Sequence, residues 1–494
     1  MKDNPGKKTR QLENNGIFYC FHSGSSSLLS SSSGFNNFRG LLNLGLILLC
    51  VYIIEFIYDN VKDHGRIIDA NFWIFKLILY EKKSEFFSIL LASNLFIIPC
   101  LILEKFHSRM SASSNFFESL TIINLTCSLL APGYFIITFD LKPIIGVFFM
   151  FFYMIVFLKL WSYTSVNRSH RNKIPDEIQH PKEIHKMDFQ NFDYLELRSR
   201  SRSLQSQKKL KLSSKRKSYV ESFDSDECCY DFSNPVPVVR SSIKYPENLT
   251  IKNIYYFMFI PTLCYEINFP MIINRRKCFI LSRICEIIVL LQIKMSLIEK
   301  FIIPELLMLF KQRRQHSINQ IELYEKLYRL ALPCQVIFLI GFYTFFHSTL
   351  NLVGEIFKFG DRMFYKDWWN SETIFHYWSS WNLPVHQFAK RHIFIPLRRR
   401  GYGQNQAAFA VFFISAVMHE YLASFPLKLY KFWSFFGMLS PIPLSYLMKK
   451  LPVTDQKLGN IIIWTWITIS QPIVLLYIND YMLENENQFL KYIR

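Results

Sequence analysis

Apolar residues in this chain gather into long runs separated by polar stretches. The runs fall at about 41–58, 86–103, 119–139, 142–163, 279–309, 330–353, 406–425, 432–448 and 460–480. A helix of roughly 18 or more apolar residues is long enough to cross about 30 Å of hydrocarbon. The pattern therefore predicts an all-α polytopic membrane protein with about nine transmembrane helices. The fifth run is the least clean, because it carries Arg283, Glu286, Lys294, Glu299, Lys300 and Glu305. A helix that long with so many charges is amphipathic, tilted, or packed toward a protein interior rather than toward lipid.

The polar stretches set the domain plan. Residues 1–40 are polar, with a serine tract from Ser25 to Ser33 broken by Leu28 and Leu29, and read as a disordered cytosolic N-terminus. No leader-like segment is visible there, so the first run is expected to insert as its own signal anchor. The first four transmembrane helices fill 41–163. A polar, largely disordered cytosolic insert covers 164–245, a helical core covers 246–482, and a tail follows at 483–494. Within the insert, 198–217 holds nine Lys and Arg and no acid, and Glu221, Asp224, Asp226 and Glu227 follow. Such a block serves as a solvated linker, as a patch for anionic lipid headgroups, or as a patch controlled by phosphorylation of its interleaved serines. With nine spans and a cytosolic N-terminus, the basic loops at 164–250 and 357–405 and the pair Lys449–Lys450 all face the cytosol. Lys311, Arg313 and Arg314 then fall on the opposite side, against that rule.

Composition narrows the class further. The chain has 494 residues and a formal net charge of +19, yet half of it is apolar, which excludes a disordered chain. With 16 Gly and 20 Pro it is not collagenous. The ten Cys include no Cys-x-x-Cys pair and several lie in apolar runs, so they read as small hydrophobes rather than zinc ligands or a disulfide framework.

Chemistry concentrates in two places. The seventh run carries Ser415, His419 and Glu420 inside an otherwise apolar stretch. A carboxylate at mid-membrane costs about 2.5–3.5 kcal/mol, so it must face a polar cavity or a partner. Ser415 and His419 are four apart and share one helical face. His419 and Glu420 point about 100° apart, so Glu420 suits orienting neighbouring helices or lining a wall better than a relay with His419. Imidazole suits proton transfer near neutral pH; a structural polar pair between helices is the competing interpretation. The preceding loop packs Asp361, Phe364, Tyr365, Lys366, Asp367, Trp368, Trp369, Asn370, Trp381, Asn382 and His386 into a short stretch. Interfacial anchoring accounts for the tryptophans but not for the Asp, Asn and His residues among them. Arg398, Arg399 and Arg400 then form a cationic cluster suited to phosphates, or a plain positive-inside flank.

The string from Phe364 to Asn370, followed by an intramembrane His419-Glu420-Tyr421, resembles the membrane-bound O-acyltransferase (MBOAT) superfamily, and within it the sterol and diacylglycerol acyltransferase branch. Three further stretches are similar to the diacylglycerol type: Pro261 to Pro270, Trp381 to His386, and Arg391-His392 with Pro396 to Gly401. The resemblance covers about 245–482 and continues more weakly through the first four spans. It implies helices of MBOAT type enclosing an intramembrane reaction chamber. It implies that His419 is the essential histidine, and that Asn382 and His386 lie near the thioester. Ser415, Glu420, Met438 and Gln471 match chamber-lining positions. Phe364, Tyr365, Asp367, Trp368, Trp369, Asn370, Trp381, Arg398 and Arg399 complete the expected substrate-binding set. Pro441 departs from the pattern, standing where relatives carry Gln, and removes a hydrogen-bonding group near the acceptor lipid.

The implied reaction carries a fatty acyl group from acyl-CoA to the free hydroxyl of diacylglycerol. His419 would take the hydroxyl proton directly, without an acyl-enzyme, and Asn382 would donate to the tetrahedral oxyanion. Acyl-CoA is a substrate, and the chemistry calls for no metal or cofactor. The expected partners are acyl-CoA, diacylglycerol, membrane lipids and further copies of the chain in a homodimer or homotetramer, with no nucleic acid. The expected location is the endoplasmic reticulum membrane. A sterol acyltransferase is the nearest alternative. A lipid transporter is the distant one, disfavoured because no internal repeat is found.

Overall fold

The computed structural model describes residues 26–28, 35, 37–41, 43–44, 47, 83–109, 115–141, 143–171, 238–316, 318–450 and 456–486. The chain divides into two compact units, one of 1–20 with 166–231 and one of 21–165 with 232–494. The first is described only at 166–171, as helix. The basic block at 198–217 and the acidic patch after it lie outside the described residues. The first apolar run, 41–58, also lies outside them except for a few positions.

The second unit opens with helices α1 (Lys83–Ala92), α2 (Asn94–Arg109), α3 (Asn115–Thr138) and α4 (Pro143–Arg171). The last of these continues eight residues beyond the apolar run that predicted it, and its final residues belong to the first unit. Among the described residues, six helices are long and apolar enough to cross a membrane: Phe87–Arg109, Asn115–Thr138, Ile145–Arg171, Gln320–Ile356, Gln404–Leu427 and Lys457–Glu484. Each coincides with one of the apolar runs.

Two runs are built differently. The 279–309 run forms α6 (Lys277–Leu297), a π-helical turn (Ile298–Ile302) and α7 (Ile303–Arg314). Two of its charges meet protein partners, while Lys300 is exposed. Arg283 pairs with Glu286 at 2.7 Å, and Glu286 also accepts from Tyr343 Oη at 2.9 Å and Ser348 Oγ at 2.7 Å. These partners come from the next long span: α8 (Gln320–Phe342), a π-helical stretch (Tyr343–Thr349) and α9 (Leu350–Ile356). The 432–448 run splits into two short helices, Trp433–Leu439 and α15 (Pro441–Lys450), that part at Ser440, because Pro441 has no N–H to continue a helix and fits the first position of a new one.

Among the described residues the fold is all-α apart from one small addition. Strands β1 (Val238–Arg240) and β2 (Pro270–Ile272) pair antiparallel, with Val239 opposite Met271, and Met271 also bridges Phe359. This ties the stretch after α5 (Ile251–Phe259) to the end of α9.

Buried polar anchors fix the helices to one another. Tyr153 in α4 donates to the Ile89 carbonyl of α1 at 2.6 Å, beside an apolar cluster of Ile89, Phe149 and Tyr153. Lys159, also in α4, is buried, and its ammonium donates to Phe257, Met258 and Ile260 carbonyls at 2.8, 3.0 and 2.7 Å. Those carbonyls end α5, where the helix leaves acceptors unpaired and presents its negative pole. Three protons thus meet three acceptors. A stranded buried carbonyl costs about 1–3 kcal/mol. Lys159→Met is therefore expected to lower the melting temperature of detergent-purified protein by several degrees; an unchanged midpoint would mean the ammonium contributes nothing.

Candidate functional site

The site is organised by α13 (Gln404–Leu427), reached through α10 (Ile374–Ser380), α11 (Leu383–Ala389), a π-helical turn (Lys390–Phe394) and α12 (Ile395–Arg399). Three faces of α13 do different work. Tyr421 and Phe425 face α3: the phenol donates to the Leu129 carbonyl at 2.6 Å, and a Cβ on Gly133 would stand 3.0 Å from the Phe425 ring. Glycine at that position lets the two helices approach closely. Glu420 and Ser424 face α14 (Trp433–Leu439) and α17 (Ile473–Glu484). Phe412 meets the Trp378 ring of α10 edge-on at 5.8 Å.

His419 follows Phe412 by seven residues, close to two turns, so it lies on the face turned to α10. Its ring is exposed, in the middle of an apolar helix. His419 Nδ1 stands 2.7 Å from the Ser415 carbonyl and 3.4 Å from Ser415 Oγ. A carbonyl only accepts, so Nδ1 carries the proton and Nε2 presents its lone pair. The imidazole is thus held as the tautomer a general base requires.

Asn382 caps α11. Its Oδ1 accepts from the Val385 N–H at 3.2 Å, which fixes the orientation of the amide and leaves both Nδ2 protons for another acceptor. The Phe364–Lys366 stretch holds this segment from behind: Phe364 O accepts from Leu383 N at 3.0 Å, and Lys366 N donates to Ser380 O at 2.7 Å. Trp381 stacks on Phe338 and Tyr377, and His386 is half-buried on α11.

The aromatic string itself is engaged mostly by the chain. Phe364, Tyr365, Trp368, Trp369 and Asn370 are buried, while Asp367 is half-buried. Tyr365 Oη lies 2.8 Å from His347 Nδ1, and Trp368 packs among Phe342, Tyr377 and Trp464. Asn370 accepts from Gly40 N at 2.5 Å and donates to the Asn37 carbonyl at 2.7 Å, reading the backbone of the N-terminal segment. A Cβ on Gly40 would fall 1.4 Å from the Trp369 carbonyl, so this close approach needs glycine. These contacts hold the string within the fold.

Arg391 and His392 join α4 to the Pro261–Pro270 stretch. Ser162 Oγ lies 2.8 Å from His392 Nε2 and accepts from Tyr265 N at 2.8 Å, while Arg391 donates to the Tyr265 carbonyl at 3.0 Å. Burial, then the Arg391 charge, pushes His392 down to about 3, so it stays neutral. Arg398 is half-buried and donates to the Tyr402 carbonyl at 2.8 Å; Arg399 and Arg400 are exposed.

The last span is broken near its middle. Pro472 has no N–H, so α16 (Gln456–Ser470) ends and α17 begins on either side of Gln471–Pro472. Broken backbone at membrane depth persists where protein or a cavity covers it. Gln471 is half-buried at this break, and Met438 is half-buried near the end of α14. Among the described residues, no three His, Cys, Asp or Glu side chains gather closely enough to hold a metal ion.

Two residues that sequence reasoning passed over are prominent here. Lys159 carried a usable signal, being a lone cation inside an apolar run. Tyr477 of α17, which meets Glu420, carried none, since a tyrosine in an apolar span reads as packing.

Residues 231–479 match the membrane-bound O-acyltransferase family. Diacylglycerol O-acyltransferase 1 of Bos taurus is 33% identical over 462 residues, covering 93% of this chain and 84% of the relative. The Homo sapiens protein of the same name is 32% identical over 462 residues, covering 93% and 83%. That of Dictyostelium discoideum is 32% identical over 466 residues, covering 93% and 65%. With its spanning helices, its intramembrane histidine and similarity along nearly its whole length, this multi-pass membrane protein belongs to the membrane-bound O-acyltransferase family.

Proposed function

We propose that the chain transfers a fatty acyl group from acyl-CoA to the free hydroxyl of diacylglycerol, forming triacylglycerol and releasing CoA. The observation that carries this reading is His419: an exposed imidazole in mid-helix whose Nδ1–H is held by the Ser415 carbonyl. The names of the relatives, diacylglycerol O-acyltransferase 1, supply the acceptor.

A lipid alcohol is a weak nucleophile near neutral pH. Nε2 of His419 takes its proton as the oxygen attacks the thioester carbonyl, a contribution of about 10²–10⁴-fold. Nδ2 of Asn382 donates to the oxyanion that forms. Collapse of the tetrahedral intermediate expels CoA as thiolate, and the imidazolium returns the proton to it. Bringing two lipids together in a shielded chamber supplies the rest. Arg398 and Arg399 receive the CoA phosphates from the cytosolic side. The reading extends to an endoplasmic reticulum location, where acceptor and product both dissolve in the bilayer, and to assembly as a homodimer or homotetramer.

Asn382→Asp separates the two duties of that side chain. Asp is an equally good cap but has no N–H to donate. The expected result is a fall of about 10²–10³-fold in kcat with an unchanged melting temperature; unchanged kcat would remove Asn382 from the oxyanion role. The acceptor is tested by offering purified protein labelled oleoyl-CoA with diacylglycerol and cholesterol side by side. Label should enter triacylglycerol. Label in steryl ester instead would move the chain to the sterol branch.

A further inference from the structure

Glu420 lies beside the histidine in sequence, yet points away from it. Its carboxylate accepts from Ser424 Oγ, from Phe432 N at 3.0 Å and from Phe435 N at 3.1 Å. Tyr477 Oη donates to the same carboxylate, 3.0 Å from each oxygen, and accepts from Trp433 N at 2.9 Å and Ser434 N at 3.3 Å. Phe432 to Phe435 are the residues whose N–H groups precede the first intrahelical bond of α14, from Phe436 N to Phe432 O at 3.1 Å. A helix leaves four such donors unpaired at its start. Here all four are taken by one carboxylate and one phenol, brought from two other helices.

The cap holds a turn that its own sequence does not favour. Between α13 and α14 the chain passes through two non-glycine residues in the left-handed region, Lys428 at φ 56° and Phe432 at φ 58°. Such residues persist where surrounding contacts over-determine them. At its other end α14 is tied again, because Trp466 Nε1 of α16 donates to Ser440 Oγ at 3.2 Å. Tyr477 and Trp466 stand on opposite sides of the Gln471–Pro472 break. Helix α14 therefore splints the broken span, and Glu420 connects the splint to the helix that carries His419.

We infer that Tyr477 and Glu420 are positioning residues: together they fix α14, with Met438, and the Gln471 break relative to His419, and so set where the acceptor alcohol lies. This rests on the acyl-transfer reading for its kinetic half and on geometry alone for its structural half. Their hydrogen bonds run to Ser424, to each other and to the start of α14.

The test is Tyr477→Phe in full-length protein, with Glu420→Gln as the second variant should the first not accumulate. Amide hydrogen exchange at 432–435 should accelerate while the amides of α3 and α8 keep wild-type protection. kcat/KM for diacylglycerol should fall about tenfold, the effect of one or two lost hydrogen bonds. KM for oleoyl-CoA should stay within about twofold of wild type. Unchanged protection at 432–435 would overturn the cap. Opened amides with wild-type kinetics for diacylglycerol would overturn the positioning role and leave acyl transfer intact. Equal losses for both substrates, in proportion to folded protein, would reduce the pair to general stability. If wild-type protein makes no triacylglycerol, the transfer reading fails instead, and the exchange result stands by itself.

Discussion

His419→Ala should form triacylglycerol about 10²–10⁴ times more slowly than wild type while still binding oleoyl-CoA. The physical basis is the division of labour within α13. Among the described residues the imidazole makes no bond that holds helices together: its Nδ1 reaches Ser415, one turn earlier on the same helix. The helix is fixed by other side chains, through Tyr421 to α3 and through Glu420 to α14 and α17. Removing the ring therefore deletes the proposed base and leaves the frame. Melting temperature and oleoyl-CoA affinity measured beside turnover check this directly. Turnover near wild type would rule out the base assignment; a collapsed melting temperature would mean the ring supports the fold.

Glu355→Ala should have the opposite character, with loss of the fold itself. Glu355 is fully buried near the end of α9, between two guanidinium groups. Its Oε2 lies 2.9 Å from Arg276 and 3.0 Å from Arg362, and its Oε1 accepts from Arg276 N at 2.8 Å. Arg362 also donates to the Phe359 and Asn351 carbonyls at 2.7 and 2.8 Å. Burial draws the Arg362 guanidinium down to about 10, with Glu355 pulling the other way, so the group stays charged at neutral pH. Taking away the carboxylate strands buried positive charge, at about 3–5 kcal/mol. That is a large share of the stability typical of a folded protein, about 5–15 kcal/mol. The triad also joins the stretch after β2 to the segment entering the Phe364–Asn370 string. The variant should fail to accumulate as a monodisperse species on size-exclusion chromatography. Normal yield and melting would show that water or a neighbouring acceptor replaces the carboxylate.

Much of the architecture was legible because membrane helices obey a length rule. Six apolar runs became spanning helices, and in the 279–309 run Arg283 and Glu286 pair against the next long span. The split of the 432–448 run and the break at Gln471 follow from Pro441 and Pro472, whose missing N–H groups the run pattern does not register. The separation of Glu420 from the Ser415–His419 face was legible from the helical angle alone. Its partner was not, because nothing local to Tyr477 says that its hydroxyl will reach two amides of a helix more than forty residues earlier. The contacts of the Phe364–Asn370 string were hidden for the same reason. A dense set of Trp and Asn looks like a binding surface, and only the fold shows Asn370 grasping backbone 330 positions away.

The proposed transfer is direct, with the alcohol proton passing to His419 as the ester forms. The most direct measurement is a single-turnover pulse and chase. Purified protein is loaded with oleoyl-labelled CoA thioester without acceptor, sampled into denaturant, and then given diacylglycerol. Direct transfer predicts no label covalently attached to denatured protein at any time, and label appearing in triacylglycerol only after diacylglycerol arrives, in wild type and not in His419→Ala. Label that remains on the denatured chain before the chase and moves from it into triacylglycerol afterwards would contradict the account.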